Sequence, residues 1–329
     1  MKTSNRWTRM AGFLSLVSLA AMTGCQEAQP QAAQPKPAVA QRSFASPEEA
    51  IKALQTAVEA RDNAALREVY GPEVDGLLTG DKVQDANNAK RFAVVMAQGC
   101  KPVKEGEDKI ILEIGPNAWP MPIPLVKADG QWRFDTAAGK EEIVNRHIGK
   151  DEMNAIGVCR AYVAAQRQYA AANAAAGGGA KYALKFKSAA GMKDGLYWPA
   201  AANEPASPFG VLVAQAHVEG FGEKLGTGAH PFHGYFFRIL TRQGKDAPGG
   251  EKDYMTDGNL MGGFALVAYP QTWDQTGIMT VIVNQDGLVY QSNLGEKTAE
   301  IAAAMTEYNP DSQWTLVKDE GVLNAAFEK

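Results

Sequence analysis

KEEIVNRHIGKDEMNAIGVCRAYVAAQRQYAAANAAA, residues 140–176, is the stretch whose reading decides the fold. Ile143, Ile156, Tyr162, Val163, Gln166 and Tyr169 partly follow a helical period, and the alanine-rich steps let a neighbour pack close. The glycines at 177–179 stop the pattern. One long helix is therefore expected in the middle of the chain, and the segments on either side of it define the architecture.

Upstream, SPEEAIKALQTAVEARD (46–62) opens with Ser46 as N-cap, Pro47 at the first helical position and Glu49 completing a capping box. Ile51, Leu54 and Val58 form its apolar stripe. A short helix is expected over 63–70, ended by Gly71 and Pro72, and a third over 86–98. After Gly99 the pattern turns to strands: KIILEI (109–114), MPIPLVKA (121–128) and, past an Asp129-Gly130 hairpin turn, QWRFDT (131–136). Trp132 and Phe134 alternate with polar residues and should face a core.

Downstream, DGLYWP (194–199) reads as a turn into an aromatic anchor. GYFFRIL (234–240), GGFALVAYP (262–270) and TGIMTVIVNQDGLVYQSNLG (276–295) read as strands, with Asp286-Gly287 as a hairpin turn. A short helix near 296–306 closes the pattern. Helices followed by antiparallel sheet, on both sides of the long helix, place the chain in the α+β class.

The first residues read as a processing signal. Lys2, Arg6 and Arg9 precede the apolar run MAGFLSLVSLAAM (10–22), which is of signal-peptide length and too short to span a bilayer. MTGC (22–25) resembles a bacterial lipobox, with Met22 where Leu is usual. The resemblance implies that Cys25 is lipidated and begins the mature chain; an ordinary signal peptide with an incidental Cys25 is the alternative. Gln26, in place of Asp, favours the outer membrane over the inner one where the enteric retention rule applies. Residues 26–42, QEAQPQAAQPKPAVAQR, are poor in large apolar side chains and read as an extended tether.

The 329 residues leave room for two buried cores, and the net charge of −4 excludes a uniformly basic surface. No nucleic-acid partner is expected. The expected divisions are signal 1–24, tether 25–42, a first domain over 43–139, and the long helix with a second domain over 140–329.

Two fold-level similarities and one family resemblance follow from these strings. Residues 44–140 resemble, in element order and in DGQWRFD, the cone-shaped domains of the nuclear transport factor two-like superfamily. That resemblance implies a cone-like helix-plus-curved-sheet domain with a potential pocket. AYVAAQRQYAA, GYFFRIL, ALVAYP and MTVIVNQDGLVYQ stand in the order found in type IV pilin and pseudopilin heads. This implies a pilin-head-like antiparallel sheet behind the long helix, without the apolar N-terminal helix that builds a filament. AYVAAQRQYA, DGLYWP, HGYFFRILTRQGKDAPGG, GGFALVAYP and VNQDGLVYQ together resemble the bacterial family called domain of unknown function 2950. The resemblance implies an exported protein and brings no catalytic residues.

The chemical candidates are few. HPFHGYFFRILTR (230–242) sets His230 and His233 three apart, with His217 upstream. A metal site would need both rings on one side, but Pro231 opposes a helix there, and strand positions i and i+3 face opposite ways. The preferred reading is the start of a strand. GKDAPGGEKDYMTDGN (244–259) offers Asp246, Asp253, Asp257 and Asn259 as hard oxygen ligands for Ca²⁺. Lys245 and Lys252 oppose a cation, and a solvated hairpin loop is preferred. Cys100 and Cys159 either pair in an oxidising compartment or fill cores as small apolar residues. Phosphate-loop, Gly-x-Ser-x-Gly, His-Glu-x-x-His and Cys-x-x-Cys patterns do not occur. The aromatic residues of the second half are expected mostly in its core, with any exposed subset free to meet a glycan or a peptide.

The sequence therefore points to a lipid-anchored envelope protein without a cofactor, leaning away from catalysis. It acts either as an interaction or assembly module, with an envelope protein as its partner, or as a small-ligand receptor or enzyme that uses the first domain's pocket.

Overall fold

The computed structural model describes residues 40–77, 82–200, 203–212 and 231–318. Cys25, His217, His230, the signal and nearly all of the tether lie outside them.

Helix α1 (Pro47–Ala60) begins as its sequence predicts: Ser46 accepts the Glu49 N–H. Glu49 reaches back to the N–H of Ala45, one residue beyond the usual capping-box partner. Asp62 caps α2 (Asn63–Tyr70) through the N–H groups of Ala64 and Ala65. A 3-10 turn (Pro72–Leu77) and α3 (Lys82–Gln98) follow, α3 starting four residues before the expected 86.

The first sheet holds β1 (Cys100–Lys104), β2 (Lys109–Ile114), β3 (Trp119–Pro120), β4 (Leu125–Ala128) and β5 (Gln131–Phe134). Its order is β1-β2-β4-β5, all antiparallel, with β3 beside β2. Asp129 and Gly130 both take positive φ, which closes the β4–β5 hairpin. Two differences from the sequence reading have backbone causes. β1 carries Pro102, which lacks an N–H, and an edge position tolerates that loss. The segment expected as one strand over 121–128 is interrupted because Pro122 and Pro124 lack an N–H to donate, so only its last four residues form a continuous strand. Trp132 and Phe134 do face the core, with Leu54, Leu112 and Leu125. Burying each such side chain contributes about 1.5–3 kcal/mol.

Helix α4 (Thr136–Ala175) has 40 residues and starts four residues earlier than expected, because Asp135 accepts the Ala138 N–H and caps it. Its first turns pack on the first sheet. Gly139 sits so close to Ile123 that a Cβ would overlap it. Ile156, Tyr162, Val163, Gln166 and Tyr169 are buried as the period implies, but Ile143 is exposed. The side chain that reaches the first sheet there is Arg146, held by Glu142, and Ile143 lies off that row.

The second sheet runs β14-β13-β12-β11-β6, antiparallel throughout. Its strands are β6 (Tyr235–Leu240), β11 (Ala265–Pro270), β12 (Met279–Asn284), β13 (Val289–Asn293) and β14 (Thr315–Leu316). Between β6 and β11 the chain makes small hairpins from β7 (Arg242–Gln243), β8 (Lys252–Asp253), β9 (Met255–Thr256) and β10 (Asn259–Leu260). Both faces of the sheet are covered. Leu266, Ala268, Val281 and Val283 meet α4, while Ala265, Val267 and Ile282 meet Tyr254, Leu260 and Tyr308. This double burial explains why ALVA and VIV read as continuous apolar runs. Helix α5 (Thr298–Ala304) closes the pattern, and the Arg238 guanidinium of β6 donates to the carbonyls of Ala302 and Met305 at its C-terminal end.

Candidate functional site

The residues singled out in the sequence do not converge. His233 stands at positive φ in the turn leading into β6, and Phe232 and Tyr235 exchange backbone hydrogen bonds across that turn. Asp246 Oδ2 accepts from Asn309, and Asp253 accepts the Met255 N–H. Asp257, with Gly258, forms the tight β9–β10 turn, and Asn259 donates to the Asp257 carbonyl. Asp253 and Asn259 thus serve local turns, and Asp246 ties its loop to Asn309. Among the described residues, no group of three or more His, Cys, Asp or Glu is placed to hold an ion.

Cys100 and Cys159 are free thiols, so the disulfide considered from the sequence is not formed. Cys100 packs against the first core, and Cys159 is fully buried in the second. Burial pushes the Cys159 thiol up to about 12, which leaves it without thiolate character at neutral pH.

The first core gathers Leu54, Leu112, Leu125 and Phe134, and the buried Thr136 hydroxyl beside it donates to the Tyr70 carbonyl. Hollows in this part lie on its outside: one lined by Lys52, Thr56 and Glu68 on α1 and α2, another by Pro120, Pro122, Glu141 and Arg146 beside α4. Arg146 stacks over the exposed Trp119 at 5.2 Å and donates to the Pro120 carbonyl.

Three side-chain amides of the second half are bound to backbone, while the buried Ser207 and Thr280 hydroxyls have no hydrogen-bond partner among the described residues. Gln166 donates to the Ala183 carbonyl and accepts the Ala183 N–H, both at 2.8 Å. Gln243 donates to the carbonyls of Pro248 and Gly250 and accepts from Tyr254 Oη at 2.6 Å. The Phe264 N–H reaches Gln285 Oε1. These amides stitch irregular segments to the sheet.

One titratable cluster departs from this pattern, where α4 meets the starts of β6 and β12. Glu152 Oε1 accepts the N–H groups of Ile278 and Met279, at 2.9 and 3.0 Å. Tyr235 Oη donates to the Met279 carbonyl. Asp151 is 3% exposed. Its Oδ2 lies 3.1 Å from Nε2 of the exposed His147, within ion-pair reach, yet among the described residues no donor is aligned with it for a hydrogen bond. Burial raises the Asp151 carboxyl to about 6, while His147 and Lys150 pull it partly back. No motif in the sequence marks this cluster. The available signal was Asp151 on the buried stripe of Ile148, Ala155 and Tyr162, with a histidine four residues earlier.

A family model described as a protein of unknown function, DUF2950, matches residues 41–317, and the chain belongs to that family. Comparison with curated proteins and with solved structures gives no match.

Proposed function

We propose that this member of the DUF2950 family is an exported cell-envelope lipoprotein that acts as a non-catalytic interaction or assembly module. In this reading Cys25 carries the lipid, residues 26–42 give reach, and the folded part works at the outer membrane facing the periplasm. The observation that carries the non-catalytic part is the commitment of the Gln166 and Gln243 amides to backbone groups beside apolar cores, with Gln285 held between the Phe264 N–H and Gln243. An enzyme or receptor interior instead presents convergent polar groups to a cavity. The alternative, a small-ligand receptor or enzyme using a pocket in the first domain, would need space that Leu54, Leu112, Leu125 and Phe134 occupy. Among the described residues, no helix is long and apolar enough to cross a membrane. Attachment in this reading rests on Cys25. The partner is an envelope protein, with no role for nucleic acid.

In-cell crosslinking of the full chain, followed by affinity purification and mass spectrometry, tests the interaction role. The expected result is one envelope protein recovered reproducibly with the wild type and reduced when Cys25→Ser removes the anchor. Recovery of nothing specific, in cells where a known envelope complex is captured, would contradict it.

A further inference from the structure

We infer that the contact between Asp151 on α4 and the His233–Gly234 turn is a proton-operated latch, closed when the Asp151 carboxyl is protonated and loosened when it is ionised. The inference does not depend on the function proposed above.

The geometry is specific. The segment 147–152 is where α4 changes neighbours. Arg146 still binds the first sheet through Pro120, whereas Glu152 already binds the second and Asp151 packs against the Gly234 turn. Gly149 lies within this segment with open space around its Cα, so the helix has no side-chain packing to brace it there. Gly234 has φ +69°, and a Cβ on it would fall 2.7 Å from Asp151 Oδ2 and 2.8 Å from Thr276 Cβ. The turn therefore lies flat on the carboxyl group. It is held by the Gln271 N–H on the Gly234 carbonyl at 2.7 Å, and by Thr276 Oγ1 on the same carbonyl at 2.9 Å.

Two neighbouring carboxylates are treated differently. Glu152 accepts two backbone N–H groups. Asp151 is buried with an oxygen that has no aligned donor, so its ionised form is the costly one. The groups around it on α4 are His147, Lys150 and Glu152; from the sheet side they are His233 in the turn and Tyr235 at the start of β6. Neither Glu152 nor Tyr235 offers a positive charge. His147 is 62% exposed at its side chain, so a proton from solvent reaches Asp151 Oδ2 across a single 3.1 Å step.

Hydrogen exchange of the Tyr235 and Gln271 amides, corrected for intrinsic chemistry, reads the latch in the full chain. A carboxyl held near 6 should make these amides about tenfold better protected at pH 5 than at pH 8. Asp151→Asn should abolish the difference and give high protection at both pH values. A difference that persists in Asp151→Asn and vanishes in His147→Gln would overturn the inference, as would equal protection of the wild type at both pH values. If Asp151→Asn does not fold, NMR titration of the wild-type Asp151 carboxyl decides. A midpoint near 6 that coincides with the loss of protection supports the latch, and an ordinary aspartate midpoint overturns it.

Discussion

Gln166 and Ala183 exchange two hydrogen bonds of 2.8 Å, the side-chain amide of one matching the peptide group of the other as a second strand would. Gln166 also donates to Tyr162 Oη, which in turn donates to the Ala265 carbonyl. A single helical residue thus ties the segment after α4 to the helix and, through Tyr162, to the second sheet. Removing it strands a buried N–H and C=O together. Gln166→Ala is expected to destabilise the fold by about 2–4 kcal/mol, read as a lower urea midpoint with an unchanged slope. An effect within measurement error would show that water replaces both bonds.

Gly234 makes a sharper test of packing. Alanine there would need a positive φ and would drive its Cβ against Asp151 and Thr276. Gly234→Ala should cost about 2–4 kcal/mol, from backbone strain and overpacking together. Gly258, also at positive φ but with nothing near its Cα, should cost only the strain, about 1–2 kcal/mol. Thermal melts of the two variants side by side separate the clash from the strain.

These two positions also show what the sequence made legible. The strands of both sheets were visible because Trp132 and Phe134 alternate and because β11 and β12 are apolar on both faces. β1 was hidden by Pro102 and its exposed lysines, since an edge strand need not look apolar. Asp151 was hidden for a different reason. A carboxylate on a helix reads as solvated unless the burial of its stripe is known, and the element covering it, Gly234, is 83 residues away in the chain. His233 drew notice in the sequence, while the chemistry lies one residue on and across on α4.

Asp151 makes overall stability depend on pH in a direction opposite to that of a salt-bridged aspartate. Its carboxyl is near 6 in the folded chain against 3.8 for the free residue. The stabilising contribution is full below pH 3.8 and is lost as pH rises through 6. Asp151→Asn should therefore be more stable than the wild type by about 1–3 kcal/mol at pH 8, and the advantage should vanish near pH 4. Urea unfolding of both proteins across this range checks it, and a variant less stable than the wild type at pH 8 would contradict it.

The free thiols predict a graded reactivity. Cys159 is wholly buried and Cys100 half-buried, with both thiols pushed up by burial. Native protein should label slowly at Cys100 and not at Cys159 with a maleimide, and both should label at once in urea. Identical peptide maps with and without reductant are expected. A Cys100–Cys159 linked peptide would contradict the structure.

The measurement that bears most directly on the proposed role is mass spectrometry of the mature N-terminus, with membrane fractionation of the wild type and Cys25→Ser. The account predicts a wild-type chain that begins at Cys25, carries acyl groups and is released from the outer-membrane fraction only by detergent, with Cys25→Ser recovered unacylated. A wild-type chain that retains residues before Cys25, or begins elsewhere without a lipid, would contradict it.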